Sequence, residues 1–373
     1  MTSLRWAAET DLVVVGAGIV GLSHAVEAVA RGLSVTVVER DERAVGASVR
    51  NFGHGCVTAQ SGVALEYAMA ARPRWLRLGK DAGFLVQDAG TLVAARADDE
   101  LAVLAELRDL RGDDVVLLDR AAVLERVTLG EEVIGGAWLP LDLRVDARSA
   151  PAAIAAWLAS QGVVFHWGTA VTSTEPGIVH TAHGDLCAKW TVVAVGHDVD
   201  RLHPEIAATH GVRRCGLHML RVRDPHARPV EEAVLTGHAM LRYSAFDACP
   251  SRSAVRDRLA AVAPETLDAQ LNLMFTQRPD GTLTIGDTHD YATTLPPFRD
   301  EARDELIRAE TARLLGVSTV DVLERWPGVY ASAPEPFLID TPHSGARVVS
   351  VTSGIGMTTA FGLAPAVLDS LLT

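Results

Sequence analysis

Lysine is nearly absent from this chain: Lys80 and Lys189 are the only two, and arginine carries the rest of the fixed positive charge. Arginine offers a planar fork to carboxylate and phosphate groups, although codon usage alone produces the same bias. Cysteine is sparse too. Cys56, Cys187, Cys215 and Cys249 form no CxxC pair, which argues against a disulfide framework or a zinc site and suits a reducing cytoplasm. No apolar run is long enough to span a bilayer, and the opening MTSLRWAAET has no apolar signal core. A cytoplasmic protein is expected. Positive charge is in deficit, with a net charge of -13 over 373 residues. Such a surface repels nucleic acid and anionic membranes but permits a local pocket for a small anion. Internal repeats and low-complexity tracts are missing as well.

What is there begins at Asp11. DLVVVG reads as a buried strand of a parallel sheet and runs into Gly16-Ala17-Gly18-Ile19-Val20-Gly21, a GxGxxG turn. A helix is expected over 19–31, ended by Gly32, and a second strand over 33–38 ends in Glu39-Arg40. Gly16 permits the tight turn, Gly18 admits a pyrophosphate against the backbone, and Gly21 lets the helix sit close to the strand. The helix start, at Ile19 and Val20, offers free N–H groups to phosphate. Glu39, 18 positions after Gly21, can accept from ribose hydroxyls and disfavours a 2′-phosphate, so NADP is not expected. This unit predicts a dinucleotide without deciding between FAD and NAD.

The next stretch, Gly46-Ala47-Ser48 followed by Arg50-Asn51 and Gly53, resembles the flavin-contacting loop of the D-amino-acid oxidase family, which includes sarcosine and glycine oxidases. Val192–Gly196 (VVAVG), Arg325-Trp326-Pro327-Gly328 with Pro334–Ile339, and Ser353-Gly354-Ile355-Gly356-Met357-Thr358 resemble further segments of that family, in its order. The resemblance implies FAD, with Arg40, Val171, Ala194 and Gly196 near the nucleotide and Gly354 to Thr358 at the flavin ring. It implies a GR2-type FAD-binding Rossmann-like domain interleaved with a sheet-based substrate domain, an α/β plus α+β architecture. The expected division is 1–57, 147–215 and 321–373 for the FAD part, and 58–146 and 216–320 for the substrate part. No cysteine follows Cys249, so the cysteine-linked flavin of some family members is not expected and FAD should be noncovalent. Neither lysine looks placed for the oxygen-activating role known in sarcosine-oxidase-like members, which leaves O2 or another electron acceptor open.

The chemistry such a flavoenzyme performs needs an anion clamp more than a catalytic triad, because the cofactor carries the redox work. The candidates for the substrate are Arg50 and His54 in RNFGH, Arg242 and Tyr243 in a strand-like MLRYSAF, His289 and Tyr291 in a polar turn after a strand at 283–285, and Arg325 with Tyr330. Arg50 could instead meet FAD phosphate. Catalysis is expected from the flavin, with His54 and His289 as the side-chain candidates. Asp287 is expected to satisfy the turn backbone. Asp287, His289 and Asp290 lack a partner motif, so no metal is expected. RNFGHG, the Cys249-Pro250-Ser251 triplet and the IGDTHDY run resemble a branch associated with phosphonate catabolism, implying aminoethylphosphonate or its N-methyl or hydroxy relatives as the small amine. The readings carried beside it are a glycine-, sarcosine- or D-amino-acid-type enzyme, a flavin-binding protein without turnover, and an NAD-dependent dehydrogenase. The oligomeric state is not legible.

Overall fold

The apolar run at the N-terminus forms β1 (Thr10–Val15), whose Leu12, Val13 and Val14 are buried completely, as a central parallel strand requires. A computed structural model describes residues 10–373, and most of the segment read for a signal core lies outside them. The glycine turn leads into α1 (Ile19–Ala30), and the chain returns as β2 (Val35–Val38), parallel to β1. α2 (Gly62–Ala82) ends at Gly83, which takes the left-handed conformation a helix C-terminus favours. β3 (Gly184–Val193) lies on the other side of β1, also parallel. β4 (Arg213–Val222) is flanked by β5 (Leu283–Ala292) and β6 (Val322–Asp340), both antiparallel to it. β7 (Ala346–Ser353) and α3 (Gly356–Leu371) follow.

One hydrogen-bonded path joins both ends of the molecule. It runs from Val116–Asp119 through Gly135–Leu139, Thr91–Ala95, Ala233–Thr236 and Met274–Gln277 to β5, β4, β6, β7, β3, β1, β2 and Val164–His166. β6 is the joint. Its first part pairs with β4 and its last part with β7, with a register break between Ser332 and Phe337. Pro334 and Pro336 sit in that break, where a missing N–H costs no ladder bond. We propose that the boundary between the cofactor and substrate parts crosses this path near the β4–β6 pair. The chain reaches β2 on one side of β1 and β3 on the other, so a crevice opens at the carboxyl end of β1.

Two expected elements differ. The run Ile285 to Tyr291 is not a turn: β5 continues through it to Ala292. MLRYSAF is not a strand. Arg242 and Tyr243 follow the short helix Gly237–Met240 and precede a 3-10 turn at Ser244–Ala248.

α3 is buried along most of its length and packs against α2. Trp75 Nε1 donates to the Met357 carbonyl at 2.7 Å, and the Trp75 ring meets Phe361 edge-on at 4.7 Å. The helices cross at Gly362, where a Cβ would lie 2.0 Å from the Tyr67 carbonyl oxygen. Backbone cannot yield as a side-chain tip can. Gly362→Ala is therefore expected to destabilise the fold by about 3 kcal/mol and to lower bound cofactor, read by chemical unfolding and flavin content. Unchanged stability would mean the two helices can separate freely.

Candidate functional site

The crevice is lined at its base by Gly16, Gly18, Ile19 and Val20. Gly16 has φ 103°, and a Cβ there would lie 2.5 Å from the Ala194 carbonyl oxygen. Gly18 caps α1 without a side chain, so the helix start stays open towards the crevice. Gly21 faces inward instead: a Cβ on it would lie 1.9 Å from the Gly16 carbonyl oxygen, which is its packing role. Glu39 braces the turn, with Oε2 accepting from Ala17 N–H at 2.8 Å and Oε1 from Asp41 N–H at 3.1 Å. Arg40 lines the same crevice and pairs with Asp198 at 2.7 Å. Val171, Ala194 and Gly196 line it as well.

From there the cavity extends, with a volume of about 730 Å³, to the Ala47, Ser48, Arg50, Asn51 loop and the Gly354, Ile355, Gly356, Met357, Thr358 turn. Ser48 Oγ accepts from Ile19 N–H at 2.8 Å, which ties the loop to the start of α1. Asn51 fixes the loop itself, donating to the Ala47 and Ser48 carbonyls and accepting from Gly53 N–H. Gly53 does not line the cavity. Its φ of 71° and a Cβ position 1.8 Å from the Val145 carbonyl oxygen make it a packing glycine, which corrects its assignment as a cofactor contact. Thr358 Oγ1 accepts from Cys56 N–H at 3.0 Å and joins the two glycine segments. His54 lies between them. Its Nε2 meets Thr91 Oγ1 at 2.7 Å and Asp142 Oδ2 at 3.2 Å. Its buried Nδ1 has no partner among the described residues. Asp142 is wholly buried and also accepts from the Val57 and Thr58 N–H groups, a role the sequence did not suggest.

Beyond the loop stand Arg242, Tyr243, Asn272, Asp287, His289 and Tyr330. Arg242 Nη2 donates to Tyr330 Oη at 2.5 Å and Nη1 to Tyr291 Oη at 3.3 Å. Arg242 is half-buried and lines the cavity. Burial opposes its charge, yet Tyr330, Tyr291 and Asp287 hold its pKa above the ordinary value. No carboxylate forms an ion pair with it among the described residues. Tyr330 also touches the C-terminal turn: a Cβ on Gly354 would lie 3.0 Å from its ring. Arg242 with its phenol partners and the glycine turn are thus adjacent.

Arg325 is not in this site. It pairs with Glu301 and Asp304 at 3.2 Å each and lines an outer, solvent-open cleft of about 910 Å³ with Arg43, Arg148 and Trp326. Arg325 and Tyr330 are an odd number of positions apart on one strand, so they point to opposite faces. Arg50 lines both voids and donates to the Pro327 carbonyl at 3.4 Å. Asp287, read as a turn residue, is a buried group of the cavity wall. Asp290 points elsewhere and pairs with Arg303 at 3.5 Å. Lys189 lies over Trp190 at 4.1 Å, and neither lysine lines the cavity.

An uncapped helix start, backbone glycines that a Cβ would fill, and an orphaned buried imidazole nitrogen at the far end fit an elongated dinucleotide that ends in a polar ring. The fold and site thus define a dinucleotide-dependent oxidoreductase. The chain belongs to the DAO family of FAD-dependent oxidoreductases, whose pattern matches residues 11–369. It is 28% identical over 219 residues to an opine oxidase subunit from Rhizobium meliloti, covering 53% of this chain and 59% of that one. The chain thus spans less than two thirds of that curated relative. Glycine oxidase from Geobacillus kaustophilus superposes with a TM-score of 0.76 at 19% identity, covering 98% of this chain and 94% of the other. L-proline dehydrogenase from P. horikoshii gives 0.77 at 18%, covering 97% and 92%. These structures share the fold. No helix among the described residues is long and apolar enough to cross a membrane.

Proposed function

We propose that the protein oxidises a small anionic amine with noncovalent FAD, and that the amine is aminoethylphosphonate or an N-methyl or hydroxy derivative of it. The observation that carries this is Arg242, a guanidinium at the cavity wall held by two phenol oxygens and, among the described residues, in ion-pair contact with no carboxylate. A cation so placed awaits an anion. Tyr291 and Tyr330 both accept from Arg242 and lie beside the Cys215 thiol, a weak acceptor that an entering anion displaces. A guanidinium and two hydroxyls suit a head group with three oxygens.

The first turn of α1 would hold the diphosphate, Glu39 and Arg40 the ribose side, and Gly354 to Thr358 the ring. Bound FAD supplies the two-electron acceptor that takes hydride from the carbon bearing nitrogen, leaving an imine that water hydrolyses to an aldehyde and ammonia or methylamine. The chain's own part is to orient that carbon through the anion and to shape a cavity closed by Tyr330 and the glycine turn. The four cysteines are free thiols, in keeping with a reducing cytoplasm. A second reading, a small amino carboxylate, is favoured by the names of the glycine oxidase and L-proline dehydrogenase neighbours.

Anaerobic titration of the yellow protein tests both. Aminoethylphosphonate or its N-methyl form is expected to bleach the flavin at concentrations at least tenfold below those of glycine, sarcosine or proline. The reverse order would select the carboxylate reading. Bleaching by none of them would leave a flavin-binding protein without turnover.

A further inference from the structure

β5 brings Asp287 and His289 side by side to the cavity wall. Asp287 is 5% exposed, and its Oδ1 accepts from Asn272 Nδ2 at 3.2 Å. The two backbones exchange hydrogen bonds at 2.8 and 3.0 Å, which fixes the carboxyl in place. His289 Nδ1 lies 2.8 Å from the Gln270 carbonyl oxygen. A carbonyl only accepts, so Nδ1 carries the proton and Nε2 a lone pair. Burial, with the Arg242 charge second, holds His289 well below its ordinary pKa, so the ring is neutral. Its Nε2 stands 3.7 Å from Asp287 Oδ2, and both residues line the cavity that holds Arg242. When Asp287 is ionised two lone pairs face each other, and a ligand donor near both would relieve them.

We propose that Asp287 is a catalytic base: its free oxygen binds the substrate's ammonium group and takes one proton from it, while His289 Nε2 accepts a second N–H. The inference rests on the anionic-amine reading and deepens it. The ligand is a zwitterion, with its anion at Arg242 and its ammonium at Asp287. In the step, R–NH3⁺ and the carboxylate become R–NH2 and the carboxylic acid, and no electrons move. The lone pair so freed on nitrogen is what the amine needs before its carbon can release hydride. Loss of hydride leaves an iminium that water hydrolyses to aldehyde and ammonium, and the proton held by Asp287 passes to solvent before the next substrate binds.

The groups facing Asp287 are Arg242, Tyr243, Cys215 and His289. Burial pushes the carboxyl up to about 7, while Arg242 and Asn272 pull it down. A base with that value takes and returns a proton readily at neutral pH.

The test compares the wild-type holoenzyme with Asp287→Asn. The anaerobic rate of flavin reduction by aminoethylphosphonate is followed across pH, together with binding of ethylphosphonate, which has the same head group and no amine. In the wild type the rate should rise between pH 6 and 8. In Asp287→Asn it should fall about 100-fold at pH 7 and lose that rise, while ethylphosphonate binds within threefold of wild type. Asp287→Glu should recover part of the rate. If Asp287→Asn does not retain FAD, Asp287→Ser carries the same comparison. An unchanged pH profile, or equal weakening of both phosphonates, would overturn the role of Asp287 and leave the anion clamp standing. Failure of the wild type to be reduced by any amine would overturn both readings.

Discussion

Replacing Arg242 with methionine is expected to lower kcat/KM for an anionic amine about a thousandfold while leaving the flavin bound. The magnitude follows from losing one partner of a desolvated, hydrogen-bonded charge pair, which costs about 2–5 kcal/mol. The guanidinium's bonds to Tyr330 and Tyr291 make it a fork held at two points. Lysine keeps the charge but cannot reach both phenols at once, so Arg242→Lys should recover only part of the loss. The control is ethylamine, which has no anion to place. Its turnover should change by less than about tenfold, because the missing interaction is specific to the anion. An equal loss for both amines would make Arg242 a structural residue that supports Tyr330. The same experiment weighs the head groups: a phosphonate engaging the guanidinium and both hydroxyls should suffer more than a carboxylate.

The cofactor end of this site was legible because its signals are local. A strand, a GxGxxG turn, a helix of small residues and a closing acid lie within thirty residues of each other, and each has its own periodicity or turn chemistry. Gly53 departs from its expected place on the cavity for a non-local reason: what makes it glycine is the Val145 carbonyl, distant in sequence. The substrate end was less legible. IGDTHDY looks like a turn because polar residues interrupt the apolar run, yet they belong to a strand whose inner face borders a cavity. Arg242 was placed on a strand that does not exist, although the residue itself stands at the clamp. Arg325 could have been set aside from the sequence, since a residue five positions from an inward Tyr330 on a strand faces outward. Asp142 gave no signal at all, because its value lies in reaching His54, Val57 and Thr58 across the fold.

Lowering the pH from 7 to 4 is expected to cost the protein a few kcal/mol of stability, because buried histidines lose more than Asp287 returns. Burial depresses His24 to about 4. Burial, then the charges of Arg96, Arg258 and Arg313, depresses His238 to about 3. Each is neutral when folded but takes a proton near 6.5 when unfolded, so the unfolded state binds more protons as pH falls through that window. Their stabilisation is nearly complete at pH 7 and drains away below 6.5, by roughly 6 kcal/mol in total on reaching pH 4, at about 1.4 kcal/mol per unit each. That is comparable with the whole stability of a typical domain. Asp287 works in the other direction. Its folded value, raised to about 7, favours folding at low pH, and that contribution is lost as pH rises towards and through 7. It amounts to about 4 kcal/mol, too little to reverse the histidine trend below 6.5. Unfolding by urea, followed by tryptophan fluorescence at pH 7, 5.5 and 4.5, separates the terms. His238→Gln removes one histidine that has only a 3.5 Å contact with Thr236 to lose. It should reduce the acid loss at the lowest of these pH values by about 3 kcal/mol and shift the acid midpoint downward. Asp287→Asn should steepen the acid loss and abolish the alkaline one. Identical slopes in His238→Gln and the wild type would show that His238 is already hydrated in the folded state.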